Sequence, residues 1–214
     1  MHGQQPYKRS YIVQGPANSA KSTYLLLLTE LIGEDNVSSV SLQTITNDRF
    51  AFSDMESKIL NIHDELKDIP LRDIGQFKKI TGSYKHRIER KHETAYDGRI
   101  TCPLVFSCNT PPSYPESEEF EDAWWIRWEY LNFVNVFPVD PTFRERVITP
   151  AVMSGFLNGV IDAMIYIHKH GLYREPDPGR VKESWKLASD LFKEFVAAEM
   201  VPVSGALENF KKSF

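Results

Sequence analysis

Short apolar runs alternate with helical segments along the first part of the chain. Residues 11–13 form an apolar run before a glycine turn, and KSTYLLLLTELIG then predicts a helix from about Ser22 that ends at Gly33. Further strands are predicted in SVSLQTI, KILNIHDEL and CPLVFSCNTPP, and a short helix or turn in NDRFAFSDMES. Strands that alternate with helices are typical of an α/β fold with a mainly parallel sheet and helices on both faces.

The pattern changes at Thr149, from which two helices are predicted. The first, in TPAVMSGFLNGVIDAMIYIHKHG, has Thr149 as N-cap, Pro150 in its first turn and Gly171 at its end. The second lies in RVKESWKLASDLFKEFVAAEM. The apolar side chains expected to form a core are Val152, Phe156, Val160, Met164 and Ile167 in the first helix, and Trp185, Phe192 and Phe195 in the second. We therefore predict an α/β core at 1–148 and a helical C-terminal subdomain or tail at 149–214.

The composition is that of an ordinary globular protein. With 214 residues and a net charge of −4, the chain fits one domain and has no overall basic character that would indicate nucleic acid. Its two cysteines, Cys102 and Cys108, are expected to pack in the core of a protein from a reducing compartment. No secretory segment opens the chain and YLLLLTELI is too short to span a bilayer, so we expect a cytoplasmic or nuclear protein without a membrane partner.

The segment GPANSAKST, between the first strand and the first helix, is similar to a phosphate-binding loop. Gly15, Lys21 and Ser22 fit the pattern, and Ala20 stands where a second glycine is expected. Backbone N–H groups of such loops hold phosphate oxygens, the lysine reaches the outer phosphates and the hydroxyl binds Mg²⁺. The methyl group of Ala20 matters only if the backbone there requires a positive φ or if Cβ meets a phosphate. A strand, turn and helix with a buried lysine stem would explain the segment equally well.

Acidic and amide side chains follow two other predicted strands. Asp64 and Glu65 end KILNIHDEL, and Asn109 follows the strand of CPLVFSCNTPP. Because carboxyl ends of parallel strands meet at one edge of a sheet, we expect these residues near the loop. For hydrolysis of a nucleoside triphosphate, Asp64 would hold Mg²⁺ with Ser22, and Glu65 would polarise water. Asn109 would contact the γ-phosphate or the water. Alternatively, the acids cap a helix and Asn109 makes an Asx turn.

Positive charge is concentrated in FKKITGSYKHRIERKHETAYDGRI. Residues 78–92 contain six lysines or arginines against one acid, in a chain that is acidic overall. The alternation suits a β-hairpin arm at about 78–100 that contacts nucleic-acid phosphates in a salt-dependent way. A solvated charged loop is the alternative. The candidate DNA-binding residues are Lys85, Arg87, Arg90, Lys91 and His92.

A single arginine, Arg127, stands within the aromatic and aliphatic run WWIRWEYLNFVNVF. Since a buried unpaired guanidinium is costly, it either pairs with a neighbour such as Glu129 or reaches a phosphate on another molecule. The tryptophans Trp124, Trp125 and Trp128 are expected to pack in the core rather than to stack on bases.

In this order the motifs resemble the ATPase core of a superfamily 3 helicase, in the primase-helicase branch of poxviruses, phages and archaeal mobile elements. The resemblance runs from about residue 11 to 200, with GPANSAKST as Walker A, ILNIHDEL as Walker B and PLVFSCNTPP as motif C. The basic segment matches the family's hairpin, and WWIRWEYLNFVNVF its arginine-finger stretch. The resemblance implies a P-loop NTPase fold of AAA+ type, with a mainly parallel central sheet flanked by helices and a small C-terminal helical subdomain.

The resemblance gives the motif residues roles in ATP hydrolysis. Lys21 would contact the β and γ phosphates, Ser22 and Asp64 would serve Mg²⁺, and Glu65 would be the base that activates water. The ATP-binding residues would be Gly15, Pro16, Ala17, Asn18, Ser19, Ala20, Lys21, Ser22 and Thr23.

The resemblance also implies partners. Asn109 would be the sensor, and Arg127 the finger that reaches a neighbouring subunit's ATP. The family forms hexameric rings that move 3′ to 5′ on single-stranded DNA, so the expected partners are single-stranded DNA, further copies of the chain, and a primase domain or other replication proteins. In a virus, the location would be the host cytoplasm or nucleus.

Two other classes of function stay open. A small P-loop phosphotransferase or kinase would explain the loop and Asp64, but not the basic hairpin or Arg127, and it would phosphorylate a small acceptor. A catalytically weak DNA-binding or assembly module with an ATPase fold would bind DNA indifferently to nucleotide, and Ala20 would be the first sign of its decay.

Overall fold

The computed structural model describes residues 8–48, 50–67, 69, 71, 74–82, 84–113, 122–172 and 177–189. The strands in these ranges are β1 (Ser10–Gln14), β2 (Val37–Ser38), β3 (Leu60–His63), β4 (Lys85–Ile88), β5 (Tyr96–Arg99), β6 (Leu104–Cys108) and β7 (Trp128–Asn132). The α-helices are α1 (Lys21–Ile32), α2 (Leu42–Asn47), α3 (Ala51–Met55), α4 (Gly75–Thr81), α5 (Asp122–Trp125), α6 (Phe143–Val147), α7 (Pro150–His170) and α8 (Pro178–Ser189). A 3₁₀ turn at Glu34–Asn36 joins α1 to β2.

Five strands form a parallel sheet in the order β2-β3-β6-β1-β7, and β4 pairs with β5 in a separate antiparallel hairpin. The predicted α/β fold, with a mainly parallel central sheet flanked by helices, is confirmed. Because the five strands run in the same direction, the residues that follow β1, β3 and β6 share the carboxyl edge of the sheet. The residues that precede these strands share its amino edge.

The four tryptophans of the chain pack in one cluster at β7. Trp124 and Trp125 come from α5, Trp128 from β7 and Trp185 from α8, and each is at most 1% exposed. The ring of Trp185 lies 6.1, 5.8 and 5.4 Å from those of the other three. Its indole N–H donates to the carbonyl of Pro112 at 2.9 Å. The expected packing role of these side chains is confirmed, and Trp185 docks α8 against the sheet.

The two cysteines are buried packing residues, as expected. Neither Cys102 nor Cys108 is in a disulfide, and each is 1% exposed. Burial raises the pKa of both thiols to about 12, so neither is a reactive thiolate at neutral pH.

The prediction of a strand in SVSLQTI is wrong. The strand β2 ends at Ser38, and α2 begins after Ser41, whose hydroxyl accepts a hydrogen bond from the Thr44 N–H at 3.0 Å. Leu42 and Ile45 are both buried, as residues three apart on one helix face can be. The N-cap and this spacing override the strand preference of the β-branched residues in the segment.

Two further local expectations are incomplete. The basic segment 78–100 does not begin as a hairpin, because α4 extends to Thr81 and the paired strands start at Lys85. In addition, β7 forms in the aromatic run where no strand was predicted, and it pairs with β1 at the end of the sheet.

Helix α7 begins and ends as predicted but is not a core helix. The Thr149 hydroxyl accepts from the Val152 N–H at 3.4 Å, and the Gly171 N–H bonds the Ile167 carbonyl at 2.8 Å. The prediction that its apolar stripe is buried is wrong: no residue of α7 is buried, and Met164 is 65% exposed. Helical spacing shows that a helix has an apolar face, but it does not show whether another element buries that face. Among the described residues, α7 is the one helix long and apolar enough to cross a membrane, by length and composition only.

The second predicted stripe is described only in part. Trp185 of α8 is buried, whereas Phe192 and Phe195 lie outside the described residues. The boundary after residue 148 and the absence of a membrane partner stay predictions.

Candidate functional site at the carboxyl edge of the sheet

The loop between β1 and α1 closes around the side chain of Lys21. The ammonium Nζ donates to the carbonyl oxygens of Gly15 and Pro16, both at 2.7 Å, and lies 3.4 Å from Ser19 Oγ. It also donates to Asn109 Oδ1 at 2.9 Å, which joins the ends of β1 and β6. The ammonium of Lys21 therefore connects the loop of the sequence motif to the end of β6.

Two carboxylates lie at the same edge. Burial lowers the pKa of Lys21, and the charges of Asp64 and Glu65 partly oppose that shift. Asp64 Oδ1 accepts hydrogen bonds from the Ser107 hydroxyl and, at 3.0 Å, from the Glu65 N–H. Glu65 is exposed and has a φ of 57°, an uncommon conformation for a residue with a side chain. The sheet thus brings Lys21, Asp64, Glu65 and Asn109 to one edge.

The donors at this edge fit a magnesium ion. The described hydrogen bonds to the Asp64 carboxylate are made to Oδ1, so Oδ2 is the oxygen that can ligate a cation. The hydroxyl of Ser22 is exposed in the first turn of α1. Mg²⁺ is commonly held by one or two protein oxygens together with phosphates and waters. Among the described residues no group of three or more His, Cys, Asp or Glu side chains could hold a metal alone.

Two positions in the loop have strict backbone requirements. A Cβ at Gly15 would lie 2.2 Å from the carbonyl oxygen of Phe133, so a side chain there requires the backbone to move. Ala20 has φ 69° and ψ 17°, the left-handed conformation that glycine adopts readily. The condition under which an alanine at this position is unfavourable is therefore met.

A cleft of about 500 Å³ lies beside the loop. One side is residues 18–23, and the other is the segment 137–143, which follows β7. The Phe133 N–H bonds the Gln14 carbonyl at 2.7 Å and the Phe137 N–H bonds the Asn18 carbonyl at 2.9 Å, so this segment is attached to the loop. Sequence reasoning missed it because no chemical motif marks it; the signal was the apolar run VNVFPV after an edge strand.

The predicted DNA-binding residues lie on the hairpin and its tip. Lys85 and Arg87 are exposed on β4, and Lys91 and His92 are exposed between the strands. The side chain of Arg87 lies 3.7 Å from the Glu89 carboxylate. Four of the five candidates therefore present positive or titratable groups to solvent.

The fifth candidate, Arg90, is engaged within the chain. Its guanidinium donates to Glu56 Oε2 at 2.8 Å and lies 3.8 Å from the Glu93 carboxylate. The Tyr96 hydroxyl donates to the same Glu56 oxygen. Glu56 follows α3, so it connects both arms of the hairpin to the body of the fold.

Arg127 lies at the amino edge of the sheet. Its carbonyl accepts from the Ser10 N–H at 2.7 Å, where β1 begins. Its Nε donates to Thr81 Oγ1 at 3.0 Å, and its guanidinium also donates to the Ala123 carbonyl. Burial lowers its pKa. The alternative pairing of Arg127 with Glu129 is wrong, because the Glu129 carboxylate instead lies 3.0 Å from an Arg180 nitrogen of α8.

The sheet order, together with a loop between β1 and α1 that surrounds the side chain of Lys21 at the start of α1, defines an α/β fold of the P-loop class. Residues 13–127 match the family described as "Family of unknown function (DUF5906)", and the chain belongs to this family. A comparison with curated protein sequences finds no match.

Solved structures of the NrS-1 C-terminal region are similar in fold. One apo structure matches with a TM-score of 0.52 and 16% identity over 86% of this chain and 42% of that one. A second apo structure, of residues 305–718, matches with a TM-score of 0.50 and 15% identity over 96% of this chain. The chain therefore spans 42% and 53% of the length of these relatives. The JCV helicase with a bound acetamide compound matches with a TM-score of 0.43 and 18% identity, over 87% of this chain and 52% of that one.

Proposed function

We propose that this chain is the core of an ATP-dependent DNA helicase, which hydrolyses ATP to move along single-stranded DNA. The observation that carries the proposal is the contact of Lys21 Nζ with Asn109 Oδ1, at 2.9 Å, on the edge that also holds Asp64 and Glu65. Phosphoryl transfer to water needs charge neutralisation, a metal and a group that positions the water. Residues suited to each of these tasks converge at this edge.

Each residue has a task in the proposal. Lys21 exchanges its bonds to the loop carbonyls for oxygens of the outer phosphates. Ser22 and Asp64 hold Mg²⁺, which when bound neutralises phosphate charge. Glu65, which is exposed, orients and deprotonates the attacking water, and Asn109 contacts the γ-phosphate.

The proposed DNA contact rests on the separate hairpin, and the proposed oligomer rests on the amino edge of the sheet. Lys91 and His92 at the hairpin tip would meet the phosphate backbone. Arg127 directly precedes β7, which runs beside β1, whereas the loop follows β1. The five-residue length of β1, about 16 Å, therefore separates them, so Arg127 would serve the nucleotide of a neighbouring subunit rather than its own. The proposal therefore includes a homo-oligomer, a hexamer when flanking regions are present, that works with a primase domain or other replication proteins in the cytoplasm or nucleus.

The test is the ATP hydrolysis rate with and without single-stranded DNA, at several protein concentrations. A site completed between subunits predicts a rate per subunit that rises with both DNA and protein concentration, and Lys21→Ala should abolish it. A rate that ignores DNA and protein concentration would contradict the proposal. Phosphorylation of a small acceptor would instead favour a kinase.

A second variant tests the hairpin. Lys91→Ala should weaken the stimulation of hydrolysis by DNA and leave nucleotide affinity nearly unchanged, because the hairpin belongs to a different sheet from the loop. Loss of ATP binding in Lys91→Ala would show that the hairpin assignment is wrong.

A further inference from the structure

The wall of the cleft that faces the loop is apolar and open to solvent. Phe137, Val139 and Phe143 are 51%, 79% and 41% exposed, and with Pro138 they line the same cleft as Lys21 and Ser22. Large apolar side chains beside a phosphate-binding loop leave hydrocarbon surface in water that a ligand could cover.

This wall is attached to the loop and to α1. Besides the backbone bond from Phe137 to Asn18, at 2.9 Å, the segment is connected to α1 by an ion pair of Arg144 with Glu30 at 3.3 Å. These two contacts lie on both sides of 138–143 and restrain the segment, which lowers the entropy lost when a ligand binds.

The wall offers few polar groups that could read a ligand. Its one carboxylate, Asp140, accepts hydrogen bonds from the Thr142 hydroxyl at 2.8 Å and the Thr142 N–H at 3.0 Å, and pairs with Arg146. The Thr142 bonds hold the pKa of Asp140 below its ordinary value, so it stays an ionised part of its own turn. The other polar side chains that line the cleft belong to residues 18–23, at its phosphate end.

We propose that Phe137, Pro138, Val139 and Phe143 receive the base of a bound nucleoside triphosphate and do not distinguish one base from another. This inference rests on the proposed function of the loop as a triphosphate site. Stacking and apolar contact are available to every base, because each has a π-face. Strong selection requires hydrogen-bonding groups directed at the base edge, and the side chains of this wall supply none that is uncommitted.

The experiment compares the equilibrium binding of ATP, GTP and inorganic triphosphate by calorimetry, in the wild type and in three variants. Phe137→Ala and Val139→Ala remove contacts in the cleft. Val136→Ala is the matched control, since Val136 is 63% exposed in the same segment and does not line the cleft.

We expect ATP and GTP to bind the wild type within about fivefold of each other, and both more tightly than triphosphate. Phe137→Ala should weaken both nucleotides about tenfold, the loss of one stacking contact, and Val139→Ala should weaken them less. Triphosphate affinity in every variant, and every affinity in Val136→Ala, should stay within about twofold of wild type.

Three results would overturn the inference and leave the proposed function standing. These are equal affinity of the wild type for ATP and triphosphate, a preference for one base above a hundredfold, and Phe137→Ala binding ATP as wild type does. If the wild type binds none of the three compounds, the proposed function is overturned as well.

Discussion

At the scale of single residues, the loop shows what a motif can and cannot predict. The meeting of Lys21 and Asn109 followed from the rule that parallel strands end at one edge, and the structure places the two side chains 2.9 Å apart. The backbone of Ala20 could not be predicted, because a deviation from the motif does not reveal whether the loop keeps its shape or relaxes. In the structure Ala20 has a left-handed backbone, with a φ of 69°.

Replacing Ala20 with glycine should therefore stabilise the protein. The left-handed conformation costs a residue with a Cβ about 1 kcal/mol, which Ala20→Gly removes, and this gain exceeds the cost of about 0.5 kcal/mol that any change to glycine carries through the unfolded chain. Urea unfolding should show a higher midpoint with an unchanged slope. Ala17→Gly is the control in the same loop: Ala17 is not among the residues with positive φ, so its change should cost about 0.5 kcal/mol through the unfolded chain. Equal destabilisation by both changes would show that Ala20 is not strained.

Gly15 tests the opposite requirement. Gly15→Ala places a methyl group where the Phe133 carbonyl lies, and should lower stability by about 2 kcal/mol and weaken nucleotide binding. Gly155→Ala, in α7, meets no atom within 4 Å and should raise stability by up to about 1 kcal/mol. Nucleotide titrations and urea unfolding of both variants measure this, and a Gly15→Ala protein that binds ATP normally would contradict it.

At the scale of elements, the sequence predicts a helix reliably where one local signal determines it. It fails where packing against other elements determines the structure. Helix α1 follows from an apolar run between a turn and Gly33, and α7 from Thr149 and Gly171. The segment of α2 has β-branched residues that favour a strand, and only its packing on α4 and the Ser41 cap decide for a helix. Whether the apolar face of α7 is buried likewise depends on the elements around it, and the sequence of α7 alone does not predict this.

The hairpin depends on Glu56, a residue with no motif and 34 positions before Arg90. Glu56→Gln replaces the charged partner of Arg90 and Tyr96, so β4 and β5 should exchange amide hydrogen faster. DNA stimulation of hydrolysis should fall severalfold while the rate without DNA is kept. Glu93→Gln removes the same charge from a carboxylate that is 57% exposed and 3.8 Å from Arg90, and should change little. Equal effects of the two changes would show that charge near the hairpin matters and the attachment does not.

At the scale of the whole molecule, the two edges of the sheet carry different candidate functional residues. The loop and its carboxylates lie at the carboxyl edge, while Arg127 lies at the amino edge, bonded to Thr81 at the end of α4. The sequence gives the order of these residues, and only the strand order of the sheet gives their separation. The apolar run at 134–139 marks the segment of the cleft wall, but its place beside the loop could not be predicted, because it depends on how the chain after β7 folds back.

This separation makes a prediction about mixed oligomers. Arg127→Ala and Glu65→Gln should each be inactive alone, because every site lacks one part. Mixed, they should regain some ATPase activity, since some interfaces then join an intact Arg127 to an intact Glu65. Hydrolysis measured across mixing ratios should peak between the pure proteins. A flat profile, with mixed oligomers verified by mass spectrometry, would exclude a finger that acts between subunits.

The cluster of tryptophans gives the protein a single optical reporter. Since all four indoles lie within one contact network at α5, β7 and α8, ultraviolet-excited emission comes from one place rather than from an average over the fold. A red shift of that emission would register water reaching Trp185 as α8 leaves the sheet. The signal therefore measures detachment of α8, and a fluorophore attached near the cleft is needed to follow events there.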